Sequence, residues 1–332
     1  MLNGKNILVT GGTGSFGKKF LEMVFQKYNP NKVIIYSRDE YKQSVMKQEF
    51  ASKTDISRLR FFIGDVRDKN RLFRAFENVD FVIHAAAMKQ VPTCEYNPIE
   101  AVKTNIGGAY NVIDAALDRN VKKVIALSTD KAVNPINLYG GTKLVSDKLF
   151  IAANAYTGYK DTRFSVVRYG NVAGSRGSVI PIWKKAIESG EKTLGVTDMR
   201  MTRFWITLEQ GVELVFKALE ESKGGETYIS KIPSFHIGDL ANAMLPGCKI
   251  NEFGIREGEK LNEVMITKDD SLTTYEYDKH YIIYPNYEWA DIKDYMLPGG
   301  KKVKEGFEYS SGNNSEWLSV GQLKDLLTVL ES

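Results

Sequence analysis

Tyr139 and Lys143 stand four residues apart in Tyr-Gly-Gly-Thr-Lys, a spacing that puts a phenol and an ammonium on one helical face. A phenol is a poor base at its ordinary pKa of about 10. A neighbouring ammonium and a cationic nicotinamide both favour phenolate, which makes Tyr139 usable as a base at an alcohol. Upstream, Ser128-Thr129 closes an apolar run and offers a hydroxyl to the reacting oxygen. Alone, such a Tyr/Lys pair also arises by chance on a surface helix, so its weight depends on the elements that position it.

Those elements start at the head of the chain. Ile7-Leu8-Val9-Thr10 reads as a buried strand, and Phe20, Leu21, Val24 and Tyr28 recur at helical spacing. Between them lies Gly11-Gly12-Thr13-Gly14-Ser15-Phe16-Gly17. Gly11, Gly14 and Gly17 permit a tight turn that brings backbone N–H groups against a pyrophosphate at a helix N-terminus. A plain strand-to-helix turn is the simpler alternative, but a strand before and a helix after favour a dinucleotide site. Ser37-Arg38-Asp39 closes the second strand. An acid there suits the ribose 2′-OH of NAD, whereas Ser or Arg suits the 2′-phosphate of NADP. Ser37 and Arg38 come first, so NADP is expected, with a solvated loop charge the alternative for Arg38. Asp65-Val66 is expected beside the adenine, and Ala85-Ala86-Ala87 is small enough for the cofactor to pass closely.

The apolar runs Val33–Tyr36, Phe61–Ile63, Phe81–Ile83, Val124–Leu127 and Phe164–Val167 alternate with helical patterns. Continuous apolar strands separated by helices predict an α/β fold, a doubly wound parallel Rossmann sheet covered on both faces. After Asn171 the rhythm breaks into loops, a helix near Leu208–Glu221 and a mixed polar remainder. The expected division is a Rossmann domain over 1–170, with returning elements near 204–232, and a smaller mixed domain over 171–203 and 233–332. The 332 residues are 43% hydrophobic and 26% charged, enough for a large core. A net charge of +4, with no dense basic block, argues against nucleic acid. Two cysteines and three histidines argue against disulfides or a metal site. No apolar stretch suggests a leader or membrane span, so a cytoplasmic protein is expected.

Taken together, these residues resemble the short-chain dehydrogenase/reductase superfamily in its extended, sugar-nucleotide-modifying branch. The runs Ser128–Tyr139, Arg168–Ser178, Met199–Trp205 and Tyr309–Asn314 are similar to those of the UDP-N-acetylglucosamine 4,6-dehydratases. Retaining members of that family commonly carry methionine where this chain has Tyr139 and are usually larger and membrane-attached. The resemblance, nearly end to end, is therefore to the inverting branch, which begins pseudaminic acid synthesis, as used in flagellin glycosylation. One departure is Gln90 in Met-Lys-Gln-Val-Pro, where the family pattern has His, while the adjoining Lys89 matches.

The resemblance implies a chemistry. Tyr139 takes the 4-OH proton as hydride leaves C4 for a tightly bound NADP that is regenerated each turnover. Lys143 holds the ribose and lowers the phenol pKa, and Thr129 sits by the reacting oxygen. Lys131, neutral when called upon, removes the C5 proton, and Asp130 protonates the departing C6 hydroxyl; a strand-end ion pair is the structural alternative for these two. The cofactor set is completed by Glu40, Lys42, Lys89, Leu127 and Ser128. For the UDP-sugar, the candidates are Lys89, Asn171, Ser178, Val179, Thr197, Arg200, Arg203, Arg256 and Glu259, arginine suiting a diphosphate by its planar donor geometry. The family also implies a homo-oligomer. Competing readings are a retaining dehydratase, a UDP-hexose 4-epimerase and a non-catalytic NADP sensor, the last having no need of Tyr139 and Lys143.

Overall fold

The computed structural model describes residues 1–174, 178–288 and 290–331. Ser175, Arg176 and Gly177, within one of the family-like runs, lie outside the described residues. The first half alternates strand and helix: β1 (Asn6–Thr10), α1 (Ser15–Lys27), β2 (Lys32–Ser37), α2 (Glu40–Ala51), β3 (Leu59–Ile63), α3 (Lys69–Ala75) and β4 (Phe81–His84). Short helical segments over Val91–Gly107 lead into α4 (Gly108–Asp118), β5 (Lys123–Thr129), α5 (Leu138–Ala152) and β6 (Arg163–Tyr169). Beyond the crossover lie α6 (Val179–Glu188), β7 (Thr193–Val196), β8 (Thr202–Phe204), α7 (Leu208–Glu221) and β9 (Thr227–Ser230).

Strands 3-2-1-4-5-6-9 lie side by side and parallel, in the order of a dinucleotide-binding sheet with one further strand. Alternation along each strand explains its two coats. Ile7 and Val9 face one core with Phe20, Leu21 and Val24 of α1, while Leu8 faces the other with Val112 and Ile113 of α4. The strand expectations and the helix at Leu208–Glu221 coincide with the observed elements.

The sheet then continues past β9 through the antiparallel strands His280–Ile283, Thr274–Glu276 and Lys301–Lys302. These edge pieces come from the segment that sequence reading places outside the Rossmann region. They are two to four residues long, too short to show a period. A separate core joins α6, β7, β8 and the helices Ile237–Met244 and Val320–Glu331 around Trp183, Trp205, Phe235 and Leu240. It faces the carboxyl ends of the parallel strands across a cleft of about 1440 Å³. Among the described residues no helix is long and apolar enough to cross a membrane.

Candidate active site

One end of the cleft is made by the glycine turn. Gly11 has φ +65°, and a Cβ there would lie 2.9 Å from the Ala86 backbone. Gly17 packs still closer, since its Cβ would meet the Gly12 carbonyl. Gly14 caps α1 with no side-chain hydrogen bond, so the first-turn N–H groups are left for a ligand, and Gly11, Thr13, Gly14, Ser15 and Phe16 all line the cleft. The geometry fits a pyrophosphate. Gly11→Ala is expected to weaken nicotinamide-cofactor binding about tenfold or more, because a left-handed residue with a clashing Cβ costs about 1–3 kcal/mol; titration calorimetry reads the loss.

At the end of β2, the Ser37 hydroxyl accepts from Gln43 Nε2 at 3.0 Å. Arg38 is 59% exposed and 3.8 Å from Asp65, leaving its guanidinium available to an incoming anion. Asp39 caps α2 by accepting from the Lys42 N–H at 3.0 Å and also pairs with the Lys42 ammonium at 2.8 Å. All four line the cleft, as do Asp65, Val66, Ala85, Ala86, Lys89, Leu127 and Ser128. Glu40, on the exposed first turn of α2, and Gly17 do not.

The second cluster forms where α5 abuts the end of β5. Asn137 caps α5, its side chain accepting from the Gly140 N–H at 2.7 Å. A Cβ on Gly140 would lie 2.1 Å from the Lys131 carbonyl, so glycine lets the helix start close against the Asp130–Ala132 turn. That contact sets Tyr139 on the cleft wall beside Thr129. Burial pushes the phenol up to about 12, opposed by the Lys131 ammonium and the Thr129 hydroxyl. The cation acting on Tyr139 in the ligand-free chain is therefore Lys131. Lys143 is 3% exposed and lines the cleft; burial lowers its pKa, countered by the Asp147 charge.

Thr129 Oγ1 donates to Asp130 Oδ1 at 2.9 Å, and the Lys131 ammonium lies 3.2 Å from that same oxygen. Lys131 also donates to Asn171 Oδ1 at 3.0 Å and pairs with Glu263 Oε1 at 3.2 Å. Burial alone would strip Lys131 of its proton, but Asp130 and Glu263 outweigh it and raise the pKa, so its resting form is the ammonium. The neutral amine that the resemblance implies when Lys131 is called upon has to be formed from this ammonium. Asp130 is fully buried and off the cleft wall; burial, opposed by the Lys131 ammonium and aided by the Glu263 charge, raises its pKa. Burial works against Glu263 too, but Lys131, Arg203 and Lys260 lower its pKa and hold it ionised.

Of the substrate candidates, Asn171, Ser178, Val179, Thr197, Arg203, Arg256 and Glu259 line the cleft. Arg203 is already committed to the Thr202, Leu261 and Lys260 carbonyls, whereas Arg256 is 60% exposed and stacks on Phe253. Arg200 is off the wall, its Nε and NH2 bonded to the Asp198 carboxylate at 3.0 and 2.7 Å. Gln90, where the family pattern has His, lines the cleft. Sequence reading missed two carboxylates. Asp147 accepts from the Ser128 hydroxyl one turn beyond Lys143, and the four-residue spacing Tyr139, Lys143, Asp147 could have shown it. Glu263 sits in Leu-Asn-Glu-Val-Met, which carries no local signal. Among the described residues no group of three or more His, Cys, Asp or Glu could hold a metal ion.

Residues 7–285 match the family described as "Polysaccharide biosynthesis protein". A UDP-N-acetylglucosamine 4,6-dehydratase (inverting) of Campylobacter jejuni subsp. jejuni serotype O:23/36 (strain 81-176) is 57% identical, over 100% of this chain and 99% of that one. A UDP-glucose 4-epimerase of Rickettsia prowazekii (strain Madrid E) is 40% identical over 98% of this chain and 96% of its own length. The X-ray structure of Pen from Bacillus thuringiensis superposes with a TM-score of 0.90 at 40% identity, covering 100% of this chain and 99% of that one.

Proposed function

We propose that this chain, which belongs to the polysaccharide biosynthesis protein family, dehydrates UDP-N-acetylglucosamine across C4–C6 and inverts C5. The product is a UDP-2-acetamido-2,6-dideoxy-hexos-4-ulose, suited to the first step of pseudaminic acid synthesis. The observation that carries this reading is the Asp130–Lys131–Glu263 cluster set against the Tyr139–Thr129 pair. Alcohol oxidation needs only the second; elimination of water needs an acid and a base beside it. The Campylobacter relative at 57% identity supports the same reading. Incubation of the purified protein with UDP-N-acetylglucosamine, followed by mass spectrometry, is expected to show loss of one water. An unchanged mass would overturn the dehydratase and favour a 4-epimerase, the reading that the Rickettsia relative supports.

A nicotinamide cofactor held at the Gly11–Gly17 turn would supply the hydride chemistry at C4 and C6. Tyr139 removes the 4-OH proton, with Thr129 fixing its oxygen and Lys143 holding the cofactor ribose. The 4-ketone acidifies C5–H, which Lys131 takes once it has lost its own proton. Asp130, whose pKa burial raises, is the acid for the leaving C6 oxygen, with its hydrogen-bond partner Thr129 on the cleft wall. A proton returned to the opposite face of C5 completes the inversion, and the retention of Tyr139 where retaining relatives carry methionine favours that outcome. In this reading the segments 171–203 and 233–332 carry the UDP-sugar, with Arg256 and Asn171 foremost among the contacts and Arg200 excluded from the cleft wall.

NADP rather than NAD is supported by Ser37 and the exposed guanidinium of Arg38 at the end of β2. Arg38→Ala is expected to weaken NADP binding about tenfold and NAD binding little, one charge-assisted hydrogen bond being about 1.5–3 kcal/mol; parallel titrations of the two cofactors test it. Equal losses would count against the 2′-phosphate assignment. The two free cysteines suit the cytoplasm, where we place the reaction. Exposed Tyr96, Ile99 and Tyr110, on the segment between β4 and β5, support the expected homo-oligomer.

A further inference from the structure

We propose that Glu263 is a positioning residue for the elimination step, holding Lys131 at the cleft wall and taking the proton that Lys131 must shed before it can act at C5. The inference rests on the dehydratase reading above.

Glu263 approaches Lys131 from outside the β5–α5 unit that carries the other groups. Its side chain is 3% exposed, Oε1 lies 3.2 Å from the Lys131 ammonium, and Oε2 has no hydrogen-bond partner among the described residues. Both Lys131 and Glu263 line the cleft, whereas Asp130 does not. The ammonium thus has two carboxylate neighbours of different character. Asp130 is fully buried and off the cleft wall, its pKa raised by burial against the pull of the Lys131 charge. Glu263 faces Lys131, Arg203 at 3.8 Å and Lys260, which lower its pKa against burial. Of the two carboxyl groups in contact with Lys131, Glu263 is the one on the cleft wall beside it, and it is the acceptor within reach.

The transfer balances. An N–H bond of the ammonium breaks and an O–H bond forms on Glu263, turning an ion pair into a neutral amine and a neutral acid. Exclusion of water by bound substrate favours that exchange, because desolvation penalises the charged forms. The amine then takes the C5 proton, the C5–H electron pair becomes the C5–C6 π bond, and C6–O breaks. The oxygen leaves as water with the proton of Asp130.

The position of Glu263 is itself built. Its N–H donates to Ser311 Oγ at 2.9 Å, and the Ser311 N–H donates back to the Glu263 carbonyl at 2.8 Å. The Ser311 and Thr202 hydroxyls are 2.7 Å apart, and Thr202 also donates to Asn262 Oδ1 at 2.7 Å. Thr202 and Ser311 belong to two of the runs singled out by sequence, Met199–Trp205 and Tyr309–Asn314, and these contacts give both runs a task at the site.

Glu263→Gln keeps the size and can accept from Lys131, but cannot take its proton. With the holoenzyme and UDP-N-acetylglucosamine in deuterium oxide, Glu263→Gln is expected to slow water release and C5 deuterium exchange about 100-fold, leaving C4 oxidation within about threefold of wild type. C4 oxidation is read from the near-ultraviolet absorbance of the reduced nicotinamide, and Glu263→Asp should restore part of the exchange. Should Glu263→Gln not fold, Ser311→Ala, which loosens the shelf, must slow water release more than C4 oxidation. Wild-type exchange in Glu263→Gln, or equal loss of both half-reactions, would overturn the inference. A wild-type protein that releases no water would instead remove the dehydratase reading before any variant is compared.

Discussion

Tyr139→Phe is expected to lower the rate of water release from UDP-N-acetylglucosamine by about 10³-fold, with fold and cofactor binding kept. The phenol oxygen is the proton acceptor, and Phe removes that atom while retaining the ring. In the ligand-free chain burial holds the phenol near 12, so Tyr139 is neutral at pH 7 and becomes a base only when further positive charge arrives with the cofactor. Loss of the proton acceptor stops the sequence at its first step, before the acidic C5–H exists. Because Thr129 still donates to Asp130, the stability change should stay within about 1 kcal/mol. Single-turnover kinetics with a thermal unfolding scan separates the two. A variant that oxidises C4 at the wild-type rate would remove Tyr139 from the chemistry.

Lys131→Met is expected to have two large effects. Water release falls about 10²- to 10⁴-fold, while reduction of the cofactor by substrate falls less, losing only the Lys131 charge that lowers the Tyr139 pKa. Stability at pH 7 also falls, by about 3 kcal/mol, since Asp130 and Glu263 lose the cation between them in a buried site. The pH dependence has a definite sign. Without Lys131 the fully buried Asp130 loses the cation that lowers its pKa, so its folded pKa lies above the unfolded one, while Arg203 and Lys260 still face Glu263. The native state then binds more protons, and stability declines as pH rises from the unfolded carboxyl range through the folded value of Asp130. Acidification from pH 7 towards about pH 5 should therefore raise the melting temperature of Lys131→Met relative to wild type. A variant whose melting temperature tracks that of wild type across this range would show that the three groups are not coupled.

How much of this was legible in the chain depends on distance along it. The glycine turn at Gly11–Gly17, the Ser128–Lys131 turn and the Tyr139–Lys143 pair are contiguous, and each has a single geometry once its strand and helix are recognised. The parallel strands read as apolar runs because both faces are covered, whereas the edge strands near Thr274 and Lys301 are too short to show a period. Arg200 reads as a diphosphate ligand by type, yet Asp198 two residues earlier captures it, a pairing visible in Asp-Met-Arg. The charge state of Lys131 could not be read at all. It is set by Asp130, its neighbour in the chain, together with Glu263, which lies far along the chain and is placed beside the strand that pairs with Tyr309–Ser310.

The most direct measurement is proton NMR of the product formed from UDP-N-acetylglucosamine in deuterium oxide. The account predicts a 4-keto sugar with a C6 methyl group, solvent deuterium at C5 and ring couplings of the inverted configuration at that carbon. A C5 that keeps the starting configuration would contradict inversion. Recovery of a 4-epimer of the substrate, with C6 still carrying its hydroxyl, would contradict the elimination itself.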